Sequence, residues 1–479
     1  MDLVSNPACG DCFVLKPAGG DCVMLKPAGG DCVVLCGDVD MDCFTGEPEG
    51  SGWSRIECRR SRAYGCGERG QAVVDGLALY LRLGHHPDIT SSLAIRMTDA
   101  ALRFVRLELG FSASRNATRC GDRVMHSGAM VLAAHDDLVV VLLTFAAGIR
   151  ELAYYLVYDS ADYSLSMIKW PPENISATTT PVAMRRSQIG GNFELILLAR
   201  EWPKLGLDTR DPKDVLAVFN PATLAPEDTI GSPWVIKERR VRAKSQLPFS
   251  VDRVFCHQGL AFWVDLSQGL LYCDPRKACS VVDVHFIPLP PTNERAMSDD
   301  HLDYDGWEGF TGPICRSEWL TRTVGRYGGS VCFVSFDDSG GDDHLAKSSV
   351  RVWLLDPAEP HGGWSKWLEI SFHDLWEMDG FRDLGMSVPG VWPICPSLLP
   401  DGTLSFLLPD NSQSTASESA SILDHFCGVD MYSGRFLYRK TVRDYQSSAP
   451  VILLLKWLPT TSRFRRALHS HHLPSECPF

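Results

Sequence analysis

The sequence offers few features that assign a function directly. Among its 479 residues the longest apolar run, from Leu138 to Ile149, ends at Arg150 and is too short for a membrane-spanning helix, which needs about 18 apolar residues or more. The first residues carry neither a positive segment nor an apolar core, so no secretory signal is predicted. The motifs G-x-S-x-G, H-E-x-x-H and the Walker loop are absent, so three common local signals of enzymes are missing. We expect an intracellular protein of the cytoplasm or nucleus, not secreted and not in a membrane.

Positive charge is scarce. The chain has 46 Lys+Arg against 59 Asp+Glu, a formal net charge of -13. Nucleic-acid binding depends on a positive face, so we expect no nucleic-acid partner. The strongest basic stretch contains Lys237, Arg239, Arg240, Arg242 and Lys244. The last three would share one face of a strand, and a solvated strand face is favoured over a nucleic-acid or nuclear-import patch.

Cysteine is plentiful but follows no disulfide or zinc pattern. Eight of the 17 cysteines lie at or before Cys66, whereas a secreted disulfide domain would be shorter and denser. We expect mostly free, buried thiols in a reducing compartment. Cys9 and Cys12 form one C-x-x-C pair, and Cys32 and Cys36 form a looser one. Their separation fits zinc motifs poorly, so free thiols are favoured over zinc.

Two patterns near the start resemble ligand sites. Gly65, Gly67 and Gly70 match G-x-G-x-x-G, which binds dinucleotides only between a strand and a helix. The preceding stretch is charged and predicts a poor strand, so a flexible loop is favoured. The second pattern resembles a calcium loop but has Cys43 where that loop needs glycine and Pro48 where a helix should begin. Its acidic residues are Asp38, Asp40, Asp42 and Glu49.

Several other polar and aromatic residues are assigned structural roles. Two acidic segments are predicted to be turns, where aspartate is a normal residue. His126, His135 and His257 lie in or beside strands and are expected to be structural. Trp263, Trp353, Trp364 and Trp367 are expected to fill the core between sheets. The acidic segments contain Asp299, Asp300, Asp303 and Asp305, and Asp337, Asp338, Asp342, Asp343 and His344.

Changes in composition predict three segments. Residues 1–92 open with three copies of a ten-residue unit, CGDCFVLKPA, GGDCVMLKPA and GGDCVVLCGD, each with a strand-like apolar stretch. We expect this segment to be irregular and partly disordered, with one helix in DGLALYLRL. Residues 93–443 consist of short β-rich runs separated by turn residues. Residues 444–479 are predicted to be a tail with helical character, broken at Pro459.

The middle segment predicts a mostly β fold. Its first unit has four strands, VMHSGAMVLAAHD, DLVVVLLTF, ELAYYLVYDS and SLSMIKWPP. A diffuse repeat follows, in which a strand ends in Asp or Asn, a turn comes next and a second strand begins. The side chains of Asp and Asn bond to their own backbone in such turns. Repeated antiparallel four-stranded units favour a β-propeller-like fold with a few short helices, and a β-sandwich pair is the alternative. The repeat instances are YDSADYSL, FNPATL, VDLSQGLLYCD, LDPAEPHGGWSKW and VDMYSGRFLY, and a short helix is expected in SFHDLWEM.

One block resembles a known family. The stretch RVFCHQGLAFWVDLSQGLLYCD, followed by VHFIPLPP, resembles the signature of an uncharacterised plant family, abundant in grasses, called domain of unknown function 1618. The resemblance covers about Leu93 to Arg443. It implies a propeller-like domain similar to kelch-like and F-box-associated modules, and it implies no catalytic residue. The matching positions are Gly259, Trp263, Val264, Asp265, Gly269, Leu271, Cys273, Asp274, Phe286, Pro288, Leu289 and Pro290.

These observations favour a protein-interaction module that binds one or more protein partners through exposed aromatic anchors. We assign no catalytic, cofactor-binding or metal-binding residue and expect no cofactor. Two alternatives stay open: a substrate receptor of a ubiquitin ligase, although no F-box is visible, and a hydrolase with a site in a central channel. A hydrolase would bring polar residues with shifted pKa values together in one concave pocket.

Overall fold

We describe a computed structural model of the chain, which is mostly β. None of the helices in its described part is long and apolar enough to cross a membrane. The described residues are 4–5, 13–15, 23–24, 53–82, 92–111, 125–135, 137–147, 150–177, 180–185, 193–203, 212–224, 231–241, 249–276, 280–291, 321–327, 329–337, 348–355, 363–378, 381, 393–398, 402–408 and 423–443.

Three short strands near the start form a small antiparallel sheet: β1 (Val4–Ser5), β2 (Phe13–Leu15) and β3 (Val23–Met24). β2 and β3 are the apolar stretches of the first two ten-residue copies, as predicted. The third copy and the predicted C-terminal helix lie outside the described residues.

Residues 53–82 and 92–111 form strands and helices. β4 (Trp53–Arg55), β6 (Leu77–Arg82) and β7 (Ser92–Met97) pair into a three-stranded antiparallel sheet. The helix predicted in DGLALYLRL is wrong, because this stretch forms β6. Leu77, Leu79 and Leu81 are buried and alternate with less buried residues, which is the period of a strand.

Two helices accompany this sheet, α1 (Gly67–Asp75) and α2 (Asp99–Glu108). α2 was not predicted, although Thr98 is a typical N-cap and its side chain accepts a hydrogen bond from the Ala101 N–H. The division of the chain at residue 93 stays a prediction.

The predicted first four-stranded unit is confirmed and is here called sheet 1. A fifth strand, β5 (Arg60–Tyr64), runs parallel to its last strand. Sheet 1 contains β8 (His126–His135), β9 (Leu138–Ala147), β10 (Arg150–Asp159) and β11 (Ser164–Lys169).

Sheets 2 and 3 are joined into one hydrogen-bonded sheet by parallel pairing of their last strands. Sheet 2 contains β12 (Ile175–Ala177), β13 (Val182–Arg185), β14 (Phe193–Glu201), β15 (Lys213–Phe219) and β16 (Trp234–Val241). Sheet 3 contains β17 (Arg253–His257), β18 (Leu260–Asp265), β19 (Gly269–Cys273) and β20 (Val281–Pro288).

Sheets 4 and 5 are four-stranded antiparallel sheets. Sheet 4 contains β21 (Arg322–Tyr327), β22 (Ser330–Asp337), β23 (Ser349–Leu355) and β24 (Trp364–Ser371). Sheet 5 contains β25 (Ile394–Leu398), β26 (Thr403–Leu408), β27 (Leu423–Asp430) and β28 (Arg435–Arg443). The helix predicted in SFHDLWEM is confirmed as α3 (Phe372–Trp376), which Ser371 caps by accepting from the Asp374 N–H.

Consecutive sheets pack face to face. Separate clusters of buried apolar side chains lie between sheets 1 and 2, sheets 2 and 3, sheets 3 and 4, and sheets 4 and 5. On its other face, sheet 1 packs against β4, β6, β7, α1 and α2. We call the strand that begins each four-stranded meander its first strand, which in sheet 2 is β13. The first strands also meet, since β8 contacts β13 and β17, β13 contacts β17, β17 contacts β21, and β21 contacts β25. The five sheets therefore follow one another in chain order with their first strands together.

Candidate functional site

The turn between the third and fourth strands has the same chemistry in several sheets. The side-chain oxygen of Asp159 accepts a hydrogen bond from the N–H two residues later, at 2.9 Å. Asn220 does the same at 3.0 Å, and Asp430 at 2.9 Å. The predicted turn mechanism is confirmed in these three sheets. Its instance in sheet 4, LDPAEPHGGWSKW, falls largely outside the described residues.

The predicted repeat instance in sheet 3, VDLSQGLLYCD, is also confirmed as a strand, a turn and a second strand, but it lies one strand earlier than in the other sheets. Asp265 ends β18, in the turn between the second and third strands. Asp274 occupies the equivalent place after the third strand, where it accepts from the Arg276 N–H at 3.0 Å. The two aspartates form the same kind of turn, since Asp265 also accepts from the Ser267 N–H. Sequence alone therefore gave no reason to choose between them.

The signature residues of sheet 3 have structural roles. Gly259 turns the first hairpin with a φ of 78°, a conformation that favours glycine. A side chain at Gly269 would overlap the Phe286 ring and the Ile287 carbonyl. Trp263 and Cys273 are fully buried. These residues shape and pack a four-stranded unit rather than presenting chemistry.

A buried ion pair joins sheets 1 and 2. Asp159 ends β10, and Arg185 ends β13. The two Nη atoms of Arg185 lie 3.0 and 2.6 Å from the two carboxylate oxygens of Asp159. Bidentate pairing of this kind fixes orientation as well as distance. The aspartate thus serves the turn and the packing between sheets together.

A polar row crosses sheet 4. Arg351 donates to Asp337 at 2.6 Å and to Glu369 at 2.7 Å, and Lys366 donates to Glu369 at 2.7 Å. The hydrogen bonds from Lys366 and Arg351 lower the pKa of Glu369 to about 2. Asp337 was predicted to lie in a turn, which is wrong: it ends β22 and is buried against Arg351. The other residues of that acidic segment lie outside the described residues, as does the segment from Asp299 to Asp305.

An exposed aromatic group lies where sheets 4 and 5 meet. The Tyr327 and Trp367 rings are 5.1 Å apart between centroids. Gly402 of sheet 5 packs directly on the Tyr327 ring, and its carbonyl accepts from the Met431 N–H. Tyr432 follows Met431 and is 83% exposed. Burial raises the pKa of Tyr327, and the charges of Asp430 and Tyr432 raise it further. We call Tyr327, Trp367 and Tyr432 the aromatic surface.

A β-bulge places Trp367 in this surface. Val352 pairs with Leu368 while Trp353 pairs with Lys366, so Trp367 is the extra residue on β24. A bulge re-aims the side chain that it inserts. Trp367 is 36% exposed, so the expectation that it fills the core is wrong.

The other predicted tryptophans are more buried. Trp263 and Trp353 lie in the core, as expected. Trp364 is partly buried, and its Nε1 donates to the Pro288 carbonyl at 2.8 Å, linking sheets 3 and 4. Sequence could not separate Trp364 from Trp367, because the bulge that distinguishes them has no residue signature of its own.

The glycine motif has a different setting from the one predicted. The prediction of a flexible loop is wrong, because β5 precedes the glycines and α1 begins at Gly67. Gly70 packs on Cys66, where a side chain would overlap. After the helix the chain enters β6, which belongs to a different sheet from β5. The arrangement is therefore not the βαβ unit of a dinucleotide site.

The remaining candidates show ordinary contacts or fall outside the described residues. On β16, Lys237 donates to the Pro275 carbonyl and Arg239 pairs with Asp214, while Arg240 is exposed. This agrees with a solvated strand face. Residues without a structural description are Arg242, Lys244, Cys9, Cys12, Cys32, Cys36, Asp38, Asp40, Asp42, Cys43 and Glu49.

Histidine and cysteine residues follow the sequence expectations where the structure describes them. His257 is buried, and burial together with Arg326 lowers its pKa. His126 and His135 are the first and last residues of β8. The described cysteines are free, and most are buried. Within the described ranges, no group of three or more His, Cys, Asp or Glu side chains is arranged to hold a metal ion.

Comparisons with solved structures give only distant similarity. A Bacteroides ovatus protein assigned provisionally as a glycoside hydrolase has 9% identity and a TM-score of 0.22, over 58% of this chain and 81% of its own. A mutant levansucrase of B. megaterium has 9% identity and a TM-score of 0.22, over 66% of this chain and 68% of its own. A search of curated protein sequences finds no match.

A family model matches the part of the chain that carries most of the sheet 3 signature and two of the three residues of the aromatic surface. The match runs over residues 263–403, from the buried tryptophan of β18 to the start of β26. It includes Tyr327, Trp367 and Gly402. The sequence-based identification is confirmed over this region: residues 263–403 match the model of the family described as protein of unknown function (DUF1618).

Proposed function

We propose that the chain is a protein-interaction module built on a propeller-like arrangement of five sheets. Each of sheets 1 to 5 contains an antiparallel four-stranded meander, and each packs on the next through its own apolar cluster. Their first strands meet, which is the place of the inner strands in a propeller. A ring of this kind displays its turns on two opposite faces.

The aromatic surface is the observation that carries this proposal. Tyrosine and tryptophan are the residues most often found at the energetic centre of protein interfaces, because their large rings bury apolar area at little entropic cost. Tyr432 is nearly fully exposed and Trp367 is held out by a bulge, so both rings are available to a partner. Exposed Lys366 and Arg435 flank them in sequence, which supplies a polar rim of the kind that surrounds interface centres.

The test is capture of partners by matched variants. Wild-type protein, Trp367→Ala and Tyr432→Ala are each used as bait in extracts of cells that express the protein natively, and captured proteins are quantified by mass spectrometry. Trp202 is also exposed, at 43%, and lies at the end of sheet 2; Trp202→Ala is the matched control.

We expect at least one protein to be captured by the wild type and by Trp202→Ala. Its recovery should fall about tenfold or more with Trp367→Ala and with Tyr432→Ala, as for the loss of an interface anchor. The proposal fails if the same proteins are recovered equally by all four baits, or if Trp202→Ala loses them as well.

The ligase-receptor and hydrolase hypotheses stay predictions of the sequence. Neither is favoured by a particular contact among the described residues. A Skp1-type protein among the captured partners would support the receptor hypothesis.

A further inference from the structure

The outer edge of sheet 1 is basic although the chain as a whole is acidic. Residues 53–70 contain five arginines against two glutamates, which gives this stretch a net charge of +3 in a chain of -13. All five arginines are exposed. A local reversal of charge of this kind attracts anionic groups. The arginines are Arg55, Arg59, Arg60, Arg62 and Arg69.

Two of these arginines project from the same face of β5. Arg60 and Arg62 are exposed and alternate with Ser61 and Ala63, which are half-buried. Alternate side chains on a strand stand about 6.5 to 7 Å apart, so the two guanidinium groups are neighbours. Arg60 approaches one acid, Asp162, at 3.8 Å, but its side chain is 75% exposed. Arg62 has no ion pair among the described residues.

Arg62 is held in place by aromatic rings although it is exposed. Its Cζ lies 5.1 Å from the centroid of the Tyr64 ring, which is a cation–π contact. The Tyr64 ring in turn packs edge-on against Phe219 of sheet 2, with 5.1 Å between the two centroids. An arginine stacked in this way loses little side-chain freedom on binding, so its planar fork is pre-organised for a carboxylate.

Protection of the sheet edge does not account for these arginines. Charged residues on an outermost strand often prevent pairing with another chain. Here α1 already closes the edge, because Gln71 Nε2 donates to the Ser61 carbonyl at 3.0 Å and Gln71 Oε1 accepts from the Ala63 N–H at 2.9 Å. These are the backbone groups that a further strand would use. The arginines are therefore available to a ligand that lies on the face of the strand.

We propose that Arg60 and Arg62 bind an acidic, extended peptide segment of a partner protein. Alternate residues of an extended segment have the same spacing as these two arginines, so carboxylates at two alternate positions can each meet one guanidinium. A nucleic acid fits less well, because two arginines neutralise few phosphates and the chain's charge of -13 repels the rest. This surface lies on sheet 1, whereas the aromatic surface belongs to sheets 4 and 5, so it is a second binding function.

The experiment follows the fluorescence anisotropy of a labelled peptide of alternating glutamate and serine as full-length protein is added at low salt. The variants are Arg60→Gln, Arg62→Gln and the double variant. Arg240→Gln is the matched control, because Arg240 is an exposed arginine on the last strand of sheet 2. Trp367→Ala tests independence from the aromatic surface, and circular dichroism checks that each variant is folded.

We expect the wild type to bind the glutamate–serine peptide and not a lysine–serine peptide of the same length. Each single variant should weaken binding about two- to fivefold and the double variant about tenfold or more, which are the effects of losing one and two exposed ion pairs. Arg240→Gln and Trp367→Ala should bind as the wild type does. Raising NaCl from about 50 mM to about 300 mM should weaken the wild type more than the double variant, because salt screens exposed charges.

Any of five results would overturn the proposal. The glutamate–serine peptide does not bind the wild type, or the double variant binds it as tightly. Arg240→Gln weakens binding as much as Arg62→Gln, which would indicate a diffuse field rather than a site. A single-stranded oligonucleotide of equal charge binds more tightly than the peptide through the same arginines. Trp367→Ala weakens binding, which would place the peptide on the aromatic surface and leave the proposed function standing.

Discussion

Gly402 shows how one residue without a side chain shapes the aromatic surface. Its φ is 88°, and a β-carbon would overlap the Tyr327 ring. Gly329 has a similar φ of 84°, but a β-carbon there would meet no atom within 4 Å. A substitution at Gly329 therefore measures the cost of the backbone conformation alone, and one at Gly402 adds the cost of the collision with Tyr327.

We expect Gly329→Ala to lower the free energy of unfolding by about 1 to 2 kcal/mol, the cost of a left-handed backbone for alanine. Gly402→Ala should cost about 0.5 to 1.5 kcal/mol more, because displacing Tyr327 also breaks its contact with Trp367. Urea unfolding of both variants measures the difference. Equal costs would show that the Tyr327 ring moves aside freely.

Among single residues, those in turns were predicted well from the sequence. Asp159, Asn220 and Asp430 form the expected turns, because the bond to the backbone two residues on depends only on local geometry. The pairings Asp159–Arg185 and Asp337–Arg351 could not be predicted, since their partners lie 26 and 14 residues apart. Asp337 was thus placed in a loop although it is buried at a strand end.

At the scale of a single sheet, the polar row of sheet 4 predicts that the free energy of unfolding depends on pH. The pKa of Glu369 is about 2 in the folded protein, against 4.5 as the ordinary value. Its ion pairs therefore stabilise the sheet fully above about pH 4.5, and this contribution is lost as the pH falls toward 2. The side chain is 36% exposed, so solvent screening limits the contribution to about 1 kcal/mol or less.

Urea unfolding at pH 6 and pH 3 tests this contribution. Glu369→Gln should be less stable than the wild type at pH 6, and the difference should shrink at pH 3. Glu238→Gln, which alters an exposed glutamate on β16, should follow the wild type at both values. A Glu369→Gln deficit that is unchanged at pH 3 would contradict the assignment.

Elements were predictable where periodicity was strong. The strands of sheet 1 and α3 appear as expected, because alternation and capping are local signals. β6 was mistaken for a helix, since LALYLRL is apolar enough to suit either period and only its packing against β4 and β7 decides. β5 was missed because it is charged; it gains its hydrogen bonds from β11, more than 100 residues later. Tertiary contacts overrode propensity in both cases.

At the scale of the whole molecule, the clusters of buried apolar side chains between the sheets form one continuous series. The cluster on the outer face of sheet 1 contains Leu81 and Leu93 together with Val141 and Leu156. Strands from before and after residue 93 thus share one core. The predicted boundary at that residue separates two compositions, and the apolar packing continues across it.

This continuity predicts cooperative unfolding across residue 93. Leu81 is 1% exposed in β6, so Leu81→Ala should lower the free energy of unfolding by about 2 to 5 kcal/mol. The protein for this test carries Trp53→Phe, because Trp53 is the one tryptophan before residue 93. The remaining fluorescence then comes from the later part of the chain, where Trp263, Trp353 and Trp376 lie in clusters between sheets 2 and 5. The urea midpoints from tryptophan fluorescence and from circular dichroism should fall together, as in a two-state transition.

Leu437→Ala, at an exposed leucine of β28, should leave both midpoints nearly unchanged. If only the circular dichroism midpoint falls, the residues before 93 unfold apart from the sheets, and the boundary drawn from composition is also a boundary of stability.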